Sequence, residues 1–154
     1  MAKKPSDSYT VCSEMLLPND TNTLGNMFGG KLMMMMDMTG AIAAQKHARR
    51  TVVTASADQI SFRHPIILGD IITLEAKVTR AFRTSMEVHI KVWAENHVTG
   101  KHLLANQAFF TYVALNEKGI PTEVPELIPQ TEEEKYLYET ALQRRQSRLK
   151  HHHS

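Results

Sequence analysis

The segment from Lys31 to Lys46 constrains this chain more than any other. Between those two lysines the only ionisable side chain is Asp37, set in Met33-Met34-Met35-Met36-Asp37-Met38 and followed by Thr39-Gly40-Ala41-Ile42. Met, Leu and Ala favour helix, and the run is too long for one buried strand. A helix that is apolar on nearly every side has to be covered on nearly every side. The expectation is therefore a central helix, opening near Phe28-Gly29-Gly30, with the rest of the chain packed around it. The run is also shorter than the roughly 18 apolar residues of a membrane span, and it carries a carboxylate.

Most of what remains reads as strand. Tyr9 to Leu17 is a first strand, followed by the turn-rich Pro18 to Gly25. Thr51 to Phe62 is rich in Val, Thr and Ile. From Asp70 to Phe82 the chain alternates, with Ile72, Leu74, Ala76 and Val78 on one face and Thr73, Glu75, Lys77 and Thr79 on the other. Ser85 to Glu95 repeats that pattern, and Leu103 to Leu115 is more continuously apolar. Period-two alternation means one buried face. Strands that follow one another without helices between them form an antiparallel sheet. About five long strands and one buried helix give an α+β unit in which a curved sheet wraps the helix. Such a unit leaves strand edges to pair with another copy, so a homo-oligomer is expected.

The sequence divides into a tail over residues 1–8, a body over 9–128, a helical extension over 129–150 and an ending over 151–154. Thr131 and Glu134 have the spacing of a capping box, and Arg144, Arg145, Arg148 and Lys150 suit the far end of that last helix. His151-His152-His153-Ser154 is read as a tail without a site. With 154 residues the chain is one domain in size. A net charge of +2 carries no nucleic-acid signature. The single cysteine, Cys12, excludes an internal disulfide and a cysteine-cluster zinc site, and it fits a reducing compartment. Met1 to Ser8 has positive charge with no apolar stretch behind it, unlike a secretory signal. A soluble cytoplasmic protein is expected, with neither membrane nor nucleic acid as partner.

Asp37 is the chemical anomaly. Aspartate is rarely buried without partners, burial of an isolated carboxylate is very costly, and aspartate is a poor helix former. It is either a functional group or a side chain that reaches a wet edge or a backbone amide. The second feature is Gly25-Asn-Met-Phe-Gly-Gly30-Lys31, which matches a phosphate-loop spacing but continues with Leu32 where the magnesium-binding Ser or Thr is needed. A nucleotide triphosphate is set aside. Gly29 and Gly30 still open a helix, where free N–H groups can hold an oxyanion. The plainer reading is that small residues start a tightly packed helix. Asn26 is either the helix N-cap or an amide offered to a reacting carbonyl or water.

Weaker candidates complete the survey. Cys12 reads as a small buried hydrophobe rather than a nucleophile. His47, His64, His89, His97 and His102 are scattered, so no metal site is expected. Arg80, Arg83, Thr84 and Ser85 lie at a strand-to-strand turn, either simply solvated or facing a phosphorylated ligand.

The composite of Pro18 to Gly30 with Met36-Asp37-Met38-Thr39-Gly40-Ala41, joined by Phe62-Arg63-His64-Pro65, Gly69-Asp70 and Val92-Trp93-Ala94-Glu95, resembles the hotdog-fold acyl-CoA thioesterases of the bacterial acyl-CoA hydrolase type. The resemblance covers about residues 9–128. It implies a hotdog fold, dimers that pair their sheets, hexamers built as trimers of dimers, and active sites between subunits. It implies a catalytic aspartate at Asp37, an assisting asparagine at Asn26, helix-opening glycines at Gly29 and Gly30, and coenzyme A contacts at Arg83, Thr84 and Ser85. The expected reaction is hydrolysis of fatty or short-chain acyl-CoA to free acid and coenzyme A, with Asp37 as general base or nucleophile and no metal or redox cofactor. The alternatives are a non-catalytic acyl-CoA sensor in the same pocket, or a hydratase, which would be expected to need a differently placed acid/base pair.

Overall fold

The computed structural model describes residues 1–152. Its strands lie where the alternation put them. They are β1 (Thr10–Met15), β2 (Thr51–Phe62), β3 (Ile71–Ala81), β4 (Ser85–Glu95) and β5 (His102–Leu115). They form one sheet in the order β1-β3-β4-β5-β2, every pair antiparallel. Helix α1 (Gly29–Ala48) packs across all five strands. It stops where Arg49 turns left-handed, at φ 53°, and gives its N–H to the Gln45 carbonyl at 2.7 Å.

The core lies between α1 and the sheet. Met36, Ala43 and Ala44 of the helix meet Leu74, Val78, Val88, Ile90, Phe110 and Tyr112 of the strands. These strand residues are one face of the alternation. The opposite face is polar, and helix α2 (Glu132–His152) lies against it. Its first turn closes a capping box, with Thr131 Oγ1 accepting from the Glu134 N–H and Glu134 Oε1 accepting from the Thr131 N–H, both at 3.1 Å. Helix α2 continues through His152, past the expected end at residue 150, and the last two residues of the expected tail lie outside the described residues. Glu87 and Arg144, both buried, join in a two-point ion pair between β4 and α2. Lys77 with Glu134 and Arg148 with Asp58 add part-buried pairs along the same seam.

Two expectations need correction. Helix α1 is not covered on nearly every side. Met34, Met38 and Ile42, spaced one turn apart, are 53%, 60% and 44% exposed. Five strands reach only the inner half of a helix, so one chain leaves this apolar stripe open. Cys12 is likewise exposed, because β1 is an edge strand of which only Thr10 is buried.

Among the described residues no helix is long and apolar enough to cross a membrane.

Candidate active site

Asp37 leaves α1 half-buried at the side of the helix that faces β2 and β5. It is not left among methionines alone. Thr54 Oγ1 donates to its Oδ1 at 2.7 Å, and the Tyr112 hydroxyl lies 3.1 Å from the same oxygen and 2.8 Å from the Asp37 main-chain carbonyl. Thr54 and Tyr112 are directly opposed partners in the β2–β5 ladder. A register shift follows at once, between Thr54 and Ser56. Bulges of this kind re-aim a side chain at a sheet edge. Burial, then the neighbouring Asp37 charge, push the Tyr112 phenol well above its ordinary range. It therefore stays protonated and able to donate.

At the start of α1 the first N–H taken up is that of Leu32, by the Phe28 carbonyl at 3.1 Å. The amides of Gly29, Gly30 and Lys31 precede it and have no acceptor within the helix. The two glycines are exposed, and a side-chain carbon added to either would meet nothing within 4 Å. Tight packing inside this chain is therefore not what requires them. The space is open to a ligand or to a second copy.

The helix N-cap is Phe28, so the capping reading of Asn26 does not hold. Asn26 is half-buried in a cleft of about 360 Å³ with Asn22, Gly29, Phe62, Arg63 and His64. Asn22, which the sequence reading passed over, has a fixed orientation there. Its Oδ1 accepts from the Leu24 N–H at 2.9 Å and from the Asn26 N–H at 3.2 Å. That commits the oxygen to the loop and leaves the amide NH₂ to donate outward. Lys31 pairs with Asp20, and this ion pair, together with the Leu17 N–H, holds the Asp20 carboxyl below its usual range.

The candidate donors and the candidate carboxylate are thus not together in one chain. Gly29 precedes Asp37 by two turns of helix, roughly 12 Å. The asparagine cleft lies at the Phe62 end of β2, and Thr54 lies near its other end. Arg83, Thr84 and Ser85 form the β3–β4 turn, and Ser85 pairs with Val113, next to Tyr112. Their main chain is used internally, the Arg83 carbonyl accepting from Val124 and that of Thr84 from Ala114. The Arg83 side chain is exposed. Arg80 is half-buried and engaged by α2, its guanidinium stacking 4.0 Å from the Tyr138 ring and donating to the Tyr138 carbonyl. Among the described residues no group of three His, Cys, Asp or Glu side chains is placed to hold a metal ion.

A family model described as the thioesterase superfamily matches residues 24–101. An uncharacterised acyl-CoA thioester hydrolase of Bacillus subtilis is 43% identical over 148 residues, covering 94% of this chain and 86% of that protein. The acetyl-coenzyme A thioesterase of Mus musculus is 40% identical over 141 residues, 92% of this chain but 25% of the mouse protein, so the chain spans about a quarter of that relative. Among solved structures, the acyl-CoA hydrolase of Staphylococcus aureus, in complex with butyryl coenzyme A, coenzyme A and coenzyme A disulfide, has a TM-score of 0.93 at 39% identity. The match covers 99% of this chain and 93% of the other. An apo hexameric acyl-CoA thioesterase has a TM-score of 0.95 at 44% identity, covering 98% and 97%. The Staphylococcus aureus enzyme has also been solved with an asparagine, an aspartate and a threonine each replaced by alanine. Those three residues follow one another at the spacing of Asn22, Asp37 and Thr54 in this chain.

Proposed function

The chain belongs to the thioesterase superfamily, and from that premise we propose that it hydrolyses acyl-CoA thioesters to a free carboxylate and coenzyme A. The observation that carries the reading is Asp37, the only ionisable side chain between Lys31 and Lys46 of helix α1, held by two hydroxyls beside the free edge of β2.

Asp37 acts as general base on a water molecule. The water oxygen bonds to the thioester carbonyl carbon as its proton passes to the carboxylate. The oxyanion so formed is met by N–H donors, namely the helix-opening amides of Gly29 and Gly30 and the side-chain amide of Asn22 or its neighbour Asn26. Collapse breaks the C–S bond, and the thiolate takes up the proton. Spacing and the outward NH₂ group favour Asn22 as the amide that meets substrate, with Asn26 shaping the same cleft. Losing one preorganised donor of this kind typically costs about 10²–10³ in rate. The rival step, attack by Asp37 itself to form a mixed anhydride, is separated by isotope. Solvent oxygen-18 appearing in the Asp37 carboxylate after one turnover identifies the anhydride. These steps use water, a carboxylate and N–H donors, so the proposal includes no metal or redox cofactor.

The donors and the base are brought together by a second copy. β2 is a long free edge, and antiparallel pairing of two such edges sets the Phe62 end of one against the Thr54 end of the other. Each site then takes Asp37 and Thr54 from one protomer and the Asn22–Gly30 loop from its partner. We further propose that such dimers assemble as trimers of dimers, in keeping with the hexameric relative, and that Arg83, Thr84 and Ser85 meet the coenzyme A portion. The setting proposed is the cytoplasm, as for the cytosolic acyl coenzyme A thioester hydrolase of Rattus norvegicus, 40% identical over 136 residues.

The test is thiol release across a panel of acyl-CoA chain lengths, with Asp37→Asn as control. The panel reads the chain-length preference, expected to be broad against a methionine-lined helix. Normal turnover by Asp37→Asn would reject the assignment.

A further inference from the structure

Tyr112 is fully buried, so it does not touch substrate, yet its hydroxyl reaches Asp37 twice. We propose that Tyr112 is a positioning residue for hydrolysis: its hydroxyl, admitted by the bare backbone of Gly40, holds Asp37 by main chain and side chain together and leaves Oδ2 as the oxygen that works on water. This rests on the reading of Asp37 given above and adds the group that aims it.

The carboxylate torsion of an aspartate is broad when nothing fixes it. Here Oδ1 has two hydroxyl neighbours, Thr54 at 2.7 Å and Tyr112 at 3.1 Å, while among the described residues no donor reaches Oδ2. The two oxygens are therefore unequal, one bound and one free. Thr54 is exposed on an edge strand, whereas Tyr112 comes from the interior strand β5 with its ring in the core. The interior partner is the rigid one. Its approach depends on Gly40: a side-chain carbon there would lie 2.4 Å from the Tyr112 hydroxyl and 2.7 Å from the Ile90 Cδ1. Any other residue would displace the phenol. A glycine in mid-helix costs stability relative to alanine, and the contact accounts for it.

The experiment uses the full chain in its native oligomer, with butyryl-CoA as substrate. Two replacements are made at position 112, Tyr112→Phe and site-specific 3-fluorotyrosine. With Phe, kcat falls roughly 10- to 100-fold, the range for a hydrogen bond to a charged group. KM stays within about twofold, because a buried ring meets no substrate. The acid limb of the kcat–pH profile moves to higher pH, since a carboxylate that loses a donor is easier to protonate. The fluorinated phenol is a stronger donor, so its acid limb moves the other way. The inference is overturned if Phe leaves kcat and the acid limb unchanged, or if kcat falls while neither replacement moves the limb, which would mark a packing role. Should Phe disturb the oligomer, the fluorinated protein decides alone, and an unmoved limb rejects the proposal. An inactive Asp37→Asn beside an unaffected Tyr112→Phe sinks this inference only, whereas an active Asp37→Asn sinks the reading beneath it.

Discussion

Thr54 and Asp37 are joined at 2.7 Å across the gap between a bulged edge strand and the middle of a helix. Thr54 donates to Oδ1 from the β2 side, opposite Tyr112 in the ladder, so the carboxylate is approached by a hydroxyl from each of two paired strands. Thr54 is exposed, and its loss leaves no cavity in the core. Thr54→Ala is therefore expected to keep its melting temperature and oligomeric state while kcat drops about 10-fold or more, the scale of one hydrogen bond to a charged group. Thr54→Ser keeps the hydroxyl and should recover most of that loss. Steady-state kinetics of the two variants against butyryl-CoA check it. Equal activity of the alanine and serine variants would count against the hydroxyl.

If sites are divided between two copies, as proposed, mixing two defective variants should restore activity. Asn22→Ala and Asp37→Asn should each be inactive as pure oligomers. Refolded together, half the dimers are mixed, and each mixed dimer carries one site with both defects and one with neither. The mixture should regain about a quarter of the parent rate if sites are shared across a two-fold axis. If each site lies within one chain, mixing restores nothing. Asn26→Ala in the same assay separates the two asparagines: the stronger loss is expected at Asn22, whose outward amide has no other duty.

The sequence made some of this site visible and hid the rest for physical reasons. Alternation in β3 and β4 was legible because one face of each strand is buried along its whole length. Asp37 stood out because its neighbours in sequence are also its neighbours on the helix. Its partners did not. Thr54 is 17 residues away and Tyr112 is 75, and both reach Asp37 only through the β2–β5 register. Nothing local to Tyr112 distinguishes it from any aromatic of a buried strand. Met34, Met38 and Ile42 were expected to be covered, because an apolar surface reads the same whether its own sheet or a second copy covers it. Cys12 was misplaced because alternation does not reveal which strand is an edge. Arg80 looked free because α2, whose Tyr138 takes it, follows far along the chain.

The attachment of α2 predicts an asymmetry between breaking and replacing. Arg144 meets Glu87 at 2.9 and 2.7 Å, Thr79 donates to the same carboxylate at 2.6 Å, and the guanidinium lies 3.9 Å over the Phe109 ring. Arg144→Met alone leaves a buried, unpaired Glu87 and should cost about 3–5 kcal/mol of unfolding free energy. The double variant Arg144→Met with Glu87→Leu removes both charges and should regain most of the loss. Denaturant unfolding of the three proteins measures this directly. A double variant as unstable as the single one would mean that the pair itself, not the burial of an orphaned charge, holds the helix.

Acid sensitivity should centre on His47. It is fully buried near the end of α1, with Nε2 2.7 Å from the Pro125 carbonyl and, among the described residues, no partner at Nδ1. Burial is the main cause that lowers its pKa from the ordinary 6.5, and nearby Lys3 adds to it, while the Pro125 carbonyl and Asp7 pull the other way. The neutral ring donates through Nε2, and a second proton would be buried at Nδ1 without an acceptor. His89, packed on Phe109 and bonded to Gln107, is lowered by burial as well. The sign follows from which state binds protons. As pH falls through the unfolded value of 6.5, the unfolded chain takes them up while the folded chain resists. The stabilisation is therefore complete above that pH and is lost progressively below it. His47→Gln keeps a neutral donor for Pro125 and removes the titration. Its melting temperature should fall less than the parent's between about pH 7 and pH 5. Thermal unfolding of both proteins across that range tests the assignment, and parallel slopes would move the acid sensitivity to His89 or elsewhere.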